Sequence, residues 1–182
     1  MGRLIFLIVL VLGSMIEVFA QNQGINSAIV AGSGNVIPAN ATNSFTGAGS
    51  KNTNSANNSF IGAGLANSSG AHRSGIGAGS SNKISSGSSN SLIGAGIGNQ
   101  ISESGPSSFI GAGNNNRIGE DGLPLGRSGD SSFIGAGSSN LISASVVHSA
   151  IVSGLRNQVY NPNSFYTNSN NFIGGGYSNV IS

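Results

Sequence analysis

Side chains that could act as acids, bases or metal ligands are few in this 182-residue sequence. After residue 20 they are four carboxylic acids and two histidines: Glu103, Glu120, Asp121, Asp130, His72 and His148. Hydrolysis by paired carboxylates needs two acids that face one another across the reacting bond. Glu120 and Asp121 are instead neighbours along the chain, and His148 lies in the turn-like stretch SVVHSA. The pattern favours solvated side chains over a catalytic centre.

Motifs for covalent catalysis, phosphate binding and metal binding are also missing. The many serines include no Gly-x-Ser-x-Gly elbow, and no helical pattern follows the Gly-x-Gly triplets. Calcium-binding β-roll repeats carry Asp in every unit, whereas the units described below carry Asn. The chain has no Cys, which excludes disulfides and thiolate metal sites. We therefore expect no enzyme activity, no cofactor and no metal.

The composition is unusual for a globular domain. Only 7% of residues are charged, 6% are aromatic, and there are 30 glycines. Such a chain is often disordered, but Ile and Phe recur here at regular intervals. The net charge of +2 is spread along the sequence without a basic cluster, so we expect no nucleic-acid partner.

Residues 1–20 are typical of a secretory signal peptide. Arg3 precedes LIFLIVLVLGSMI, an apolar core shorter than a membrane-spanning helix. Val18 and Ala20 occupy the small-residue positions before a cleavage site. We expect cleavage after Ala20, a secreted or cell-surface location, and a single repeat domain over 21–182. An uncleaved membrane anchor is the alternative.

The rest of the chain consists of nine copies of one phrase, such as SFIGAGSSNLIS at 132–143. The glycine that ends IGAG recurs at steps of 15 to 24 residues, and an asparagine always follows it three residues later. These asparagines are Asn35, Asn52, Asn67, Asn82, Asn99, Asn116, Asn140, Asn157 and Asn179. Helical repeats need about 33 residues or more per unit. The shorter period predicts stacked β-coils.

We predict an all-β fold, a parallel β-roll or β-solenoid of about nine coils of 15–17 residues. SFIGAG would form one strand, SSN a turn and LIS a second short strand, with coils about 4.8 Å apart. Gly and Asn tolerate the left-handed backbone that tight turns need. Asparagines in register on successive coils are expected to form a hydrogen-bonded ladder.

The first strand carries apolar residues on both faces, because neighbouring side chains of a strand point in opposite directions. One position is Ile in eight repeats and Thr46 in the remaining one. The position before it holds Phe45, Phe60, Leu92, Phe109, Phe133 and Phe172, with Ala28, Gly75 and Ala150 in the other repeats. The Ile column can fill the coil interior, and the Phe column then requires a cover. Self-association would supply it; packing of the Phe column against the variable turns is the alternative.

The Ser-apolar-Ile-Gly-Ala-Gly phrase, followed by a turn and Asn, resembles the head repeats of trimeric autotransporter adhesins. The resemblance covers 27–182 and concerns the repeats alone, not the stalk or membrane anchor of that family. It implies a left-handed β-roll, a homotrimer, and adhesion to a protein or carbohydrate receptor on a host cell, matrix or other cell.

Two insertions interrupt the period and are candidate ligand contacts, since insertions in repeat proteins map to surface loops. The first, 119–131, contains Arg127; the second, 160–170, contains Tyr160, Phe165 and Tyr166. Tolerated extra length in a turn explains them equally well. The three N-glycosylation sequons, at Asn40, Asn57 and Asn67, matter only in a eukaryotic source.

Three other functions compete with adhesion. A structural surface-coat or filament protein would share every feature above. An ice-binding solenoid would carry a regular Thr column, but only Thr42, Thr46, Thr53 and Thr167 follow the signal peptide. A polysaccharide-degrading β-helix enzyme would need longer coils and clustered acids.

Overall fold

A computed structural model describes residues 20–120, 130–161 and 168–182, and in these ranges the chain forms 21 two-residue strands and no helix. The strands are numbered β1 to β21 along the chain. The first sheet contains one strand from each of the nine repeats, all parallel: β2 Ala28–Ile29, β4 Phe45–Thr46, β6 Phe60–Ile61, β8 Gly75–Ile76, β10 Leu92–Ile93, β12 Phe109–Ile110, β14 Phe133–Ile134, β17 Ala150–Ile151 and β20 Phe172–Ile173. The prediction of a parallel β-solenoid is confirmed.

The second sheet has ten parallel strands because a half-coil precedes the first repeat. Its strands are β1 Gln21–Asn22, β3 Val36–Ile37, β5 Thr53–Asn54, β7 Ser68–Ser69, β9 Lys83–Ile84, β11 Gln100–Ile101, β13 Arg117–Ile118, β15 Leu141–Ile142, β18 Gln158–Val159 and β21 Val180–Ile181. A third sheet pairs β16 Val146–Val147 with β19 Asn168–Ser169 in the return turns before the last two repeats.

The first strand is shorter than the sequence predicted. SFIGAG was expected to form one strand, but the strand of the seventh repeat covers Phe133–Ile134 alone. Gly135 and Ala136 still donate their N–H groups to carbonyls of the next coil. The backbone bends at the glycines, and the residue after the repeat glycine forms a separate parallel bridge, as Ser138 does with Leu155. Each coil therefore contributes three hydrogen-bonded columns, not two. The repeat glycine lies between the first strand and this bridge, and its φ angle of 96–114° is incompatible with one continuous strand.

The Ile column lies inside the coil, as the alternation predicted. Ile61, Ile76 and Ile134 are fully buried, and they face a second apolar column that includes Ile84 and Ile142. No single coil encloses this narrow core, since each Ile is covered by its counterparts on the neighbouring coils.

The core is polar in the second and third repeats. Thr46, Asn54 and Ser69 are fully buried at positions that hold Ile or Val elsewhere. The Asn54 amide donates to the Phe45 carbonyl at 3.0 Å and the Ser59 carbonyl at 3.1 Å. The Thr46 and Ser69 hydroxyl oxygens are buried without a hydrogen-bond partner. This section of the rod is held by fewer apolar contacts than the coils that follow.

Candidate binding surfaces

The outer face of the first sheet is an apolar column, which we call the Phe face: Phe45, Phe60, Leu92, Phe109, Phe133 and Phe172. Five of these side chains are 36–43% exposed, and Phe172 on the last coil is 67% exposed. They lie next to the buried Ile positions of the same strands, on the opposite side of the sheet. The return turns therefore leave this column in contact with solvent along the described rod.

Glycines beside the Phe face let its rings lie flat. A Cβ atom added to Gly75 would fall 2.1 Å from the Phe60 ring, so that ring occupies the space left by the missing side chain. A Cβ atom added to Gly135 would fall 2.4 Å from the Val152 carbonyl oxygen and 3.2 Å from the Phe133 ring. The resulting surface is a low aromatic ridge with glycine backbone alongside it, which another chain could approach closely.

The nine repeat asparagines form a continuous ladder at the corner between the two sheets. Each backbone N–H from Asn52 to Asn179 donates to the side-chain oxygen of the preceding asparagine, at 3.0–3.1 Å. The Asn116 amide also donates to the Ala112 carbonyl of its own coil and the Gly137 carbonyl of the next. The eight side chains from Asn35 to Asn157 are at most 1% exposed. The ladder is therefore an internal support and not a ligand surface.

The asparagines do not adopt the left-handed conformation suggested for them. In each repeat the left-handed residues are the glycine, the residue two positions after it (φ 53–65°) and the residue before the first strand's serine (φ 50–61°). Asn140 thus follows the left-handed Ser139 and serves the turn through its side chain alone.

A second surface lies outside the Asn ladder, along the same corner. Its residues stand one, two or four positions after the repeat glycine, and those in the last position are on strands of the second sheet. The cationic and large apolar members are Lys51, Leu65, Lys83, Ile97, Arg117, Leu141, Leu155, Arg156 and Tyr177. We call this the corner band. Lys51, Lys83 and Arg156 are exposed, as are Leu65, Ile97 and Tyr177, while Arg117 and Leu141 are half-buried.

The corner band escaped the sequence analysis because its residues differ from repeat to repeat. Reading these three positions down the aligned repeats would have shown it, since no Asp or Glu occurs between the repeat glycine and the second Ile position. The described acids Glu103, Glu120 and Asp130 all lie in return turns.

The predicted ligand-contact residues fall largely outside the described ranges. Arg127, Phe165 and Tyr166 lie there, as does Asp121. Tyr160 is described: its side chain is 36% exposed, and its backbone N–H donates to the Ile181 carbonyl at 3.0 Å.

The histidines and the described acids lie in the return turns. His72 accepts a hydrogen bond from the Asn57 backbone at its Nδ1 atom, at 3.3 Å. His148 is a left-handed turn residue whose N–H donates to the Asp130 carbonyl at 2.9 Å. One Asp130 carboxylate oxygen is buried without a hydrogen-bond partner. Within the described ranges, no three His, Asp or Glu side chains are grouped so as to hold a metal ion.

The three sequons differ in access. Asn40 is exposed on a turn, whereas the Asn57 side chain accepts the Thr42 N–H at 2.9 Å. Asn67 is fully buried in the Asn ladder. Asn40 is thus the most accessible of the three, Asn57 is half-buried, and Asn67 is inaccessible in the folded chain.

Neither a protein-family model nor a curated protein sequence matches this chain. Across the described residues, no helix is long and apolar enough to cross a membrane.

Proposed function

We propose that this protein is a non-enzymatic adhesin or fibre head, secreted through residues 1–20 and active at a cell surface or outside the cell. The observation that carries the proposal is the Phe face, an exposed and mainly aromatic column along a rod whose recurring Ile and Asn side chains are internal. Large contiguous apolar patches on soluble proteins mark sites of association. The rod offers extended surfaces and few ionisable groups, which favours binding over catalysis.

The Phe face is proposed as the contact between copies of the chain in a homotrimer of left-handed β-rolls. Three copies packed around one axis would place all three Phe faces toward each other and away from water. Full burial of a ring that is now 36–43% exposed contributes about 1–2 kcal/mol. Six such residues per chain would form the apolar centre of the interface.

The side of the rod away from the Phe face is then free for a receptor. A surface-coat or filament protein remains the second candidate, supported by the same self-associating face. An ice-binding role has less support, because Thr46 is inside the coil and Thr42 and Thr53 belong to different columns.

Light scattering on residues 21–182, paired with adhesion of cells to the immobilised protein, tests the proposal. We expect a mass of three chains and saturable attachment. A folded monomer with an intact Phe face would overturn the trimer, and absence of attachment to cells and matrix would overturn the adhesive role.

A further inference from the structure

We infer that five exposed side chains on successive coils bind an extended, neutral polysaccharide through its hydroxyl groups. They are Asn26, Asn43, Asn58, Arg73 and Asn90, which we call the amide row. Each of them immediately precedes the serine that opens one of the first five repeats. The inference deepens the adhesive role proposed above and rests on it, because it names the class of receptor, but it concerns a surface other than the Phe face.

The amide row is a single column, because all five residues hold the same position of the coil. The backbone N–H groups of Asn43, Asn58, Arg73 and Asn90 each donate to a carbonyl of the preceding coil at 2.9–3.0 Å. All five residues have left-handed φ angles of 52–61°, and all five are exposed. Since coils are about 4.8 Å apart, one planar side chain is presented at each such interval along the rod.

A left-handed backbone favours asparagine, but it does not by itself account for the amide row. A second left-handed column, two residues after the repeat glycines, has φ angles of 53–65° and allows an internal comparison. Asn115 is the one asparagine among its nine members. Its members on the first five repeats are Gly34, Lys51, Ala66, Ser81 and Gly98. The backbone is alike in the two columns, so the planar side chains of the amide row require a further reason.

The side chains of the amide row keep most of their hydrogen-bonding groups open to solvent. Asn43 donates to the Asn58 side-chain oxygen at 3.2 Å, which orients these two amides. The side chains of Arg73 and Asn90 have no hydrogen-bond partner among the described residues. An amide offers donors and an acceptor, and a guanidinium group offers several donors in one plane. Such a set matches sugar hydroxyl groups, which both donate and accept.

Charge and spacing favour a neutral, extended chain as the ligand. No Asp or Glu occurs between residues 21 and 102, and Arg73 is the one charged member of the amide row. Neutral amides thus predominate, which suits hydroxyl groups better than carboxylates or sulfates. In an extended β-1,4-linked glucan each ring advances by nearly the distance between coils, so five rings can meet five side chains in turn. The hydrogen-bonded backbone beneath the row reduces the entropy lost on binding.

Calorimetric titration of residues 21–182 with cellopentaose tests the inference. Maltopentaose is the control ligand, because it contains the same glucose units in a coiled chain that cannot follow the row. We expect cellopentaose to bind at least fivefold more tightly than maltopentaose, with an affinity that changes less than twofold between low and high salt. Equal binding of the two ligands, or no binding of cellopentaose, would overturn the inference.

Matched variants assign the binding to the amide row. Asn58→Ser combined with Asn90→Ser should weaken cellopentaose binding about fivefold or more, because two amides that bond the ligand are lost. Serine suits this position of the coil, since Ser107 holds it in the sixth repeat with φ 56°. Asn114→Ser combined with Asn115→Ser removes two exposed amides outside the row, at positions where other repeats carry Ser-Ser, and should change affinity less than twofold. Equal losses in the two double variants would refute the assignment.

Circular dichroism on each variant confirms the fold before titration. The Phe109→Asp variant separates this inference from the proposed function, because Phe109 lies on the sixth repeat, beyond the amide row. It should keep the dissociation constant per chain for cellopentaose and lose only the avidity of a multivalent particle. Cellopentaose binding without cell attachment would keep the site and reject the adhesive role; attachment without cellopentaose binding would reject the site.

Discussion

The rings of Phe109 and Phe133 lie on successive coils with their centroids 5.7 Å apart and their planes tilted by 30°. Both rings are 36% exposed, so they contact each other along the rod but keep one side toward solvent. An aromatic pair of this kind stabilises the stack by about 0.5–1.5 kcal/mol beyond its buried area. The remaining open side is what the proposed interface would cover.

Substitution Phe109→Asp should convert the proposed trimer to single chains, because a carboxylate in the middle of an apolar interface would be desolvated without a partner. Light scattering measures the mass, and circular dichroism checks that the strands persist. Gln158→Asp places the same charge on an exposed strand residue of the second sheet and should leave the mass unchanged. A trimer that survives Phe109→Asp would show that the Phe face is not the interface.

Substitution Asn116→Ala should destabilise the rod by about 3 kcal/mol or more. It leaves the Asn140 N–H and the Ala112 and Gly137 carbonyls without side-chain partners in a buried corner. Each lost partner of a buried group costs about 1–3 kcal/mol. Urea unfolding followed by circular dichroism provides the measurement.

Asn179→Ala is the matched control for the ladder. Asn179 is in the last described repeat and is less buried, so only its bonds to the Asn157 side chain and Gly175 are lost. We expect a cost of about 1 kcal/mol. Equal effects at the two positions would contradict a cooperative internal ladder.

Glycine is required at the repeat-glycine position and dispensable at the position two residues after it. A Cβ atom at Gly113 would fall 2.1 Å from the Gly137 carbonyl oxygen, and its φ is 103°. Gly113→Ala should therefore destabilise by about 3 kcal/mol or more through strain and overlap. At Gly34 the φ is 63° and the nearest atom is 3.6 Å away.

Gly34→Asn should consequently be neutral or stabilising by up to about 1 kcal/mol, because it reduces the entropy of the unfolded chain at a tolerated left-handed position. Other repeats carry Lys51 or Asn115 at this position with similar φ angles. Thermal unfolding of the two glycine variants distinguishes them. A large loss in Gly34→Asn would show that more than backbone conformation selects glycine there.

Removing an unpaired hydroxyl from the polar section of the core should increase the stability of the protein. Thr46 is fully buried with an unpartnered hydroxyl in a column that is otherwise Ile. Thr46→Val keeps the shape and removes the unpaired group, so we expect stabilisation of about 1 kcal/mol. Thr53→Val, at a half-buried position on the second sheet, should change the free energy of unfolding by less than 0.5 kcal/mol, about the effect of ordinary surface changes. Loss of stability in Thr46→Val would indicate that the hydroxyl has a partner in solution.

The sequence predicted those features that repeat. An apolar residue followed by Ile, such as Phe133–Ile134, occurs in most units, so the opposite faces of the two positions followed from strand geometry alone. The spacing of Gly137 and Asn140 predicted a turn there, but not that Ser139 takes the left-handed conformation. The residue type at the Ser139 position differs between repeats because only its backbone angle is constrained, and its side chain is exposed to solvent.

Features that do not repeat were not predicted. The small sheet of Val146–Val147 and Asn168–Ser169 forms between two return turns of different length, so no periodic pattern indicates it. The corner band combines three positions of the repeat, and only the stacked coils place Lys83 and Arg117 in one row. The contact roles predicted for Arg127, Phe165 and Tyr166 stay predictions.

The hydrogen bonds between coils run along the rod, as the bond from the Phe133 N–H to the Ser149 carbonyl does. A pulling force applied at the two ends would therefore stretch these bonds end-on and peel the coils away one at a time. A 17-residue coil extends to about 55–60 Å when straightened, compared with about 4.8 Å in the stack. Each coil would thus act as a spare length of tether, released under tension and restacked on its neighbour when the force falls.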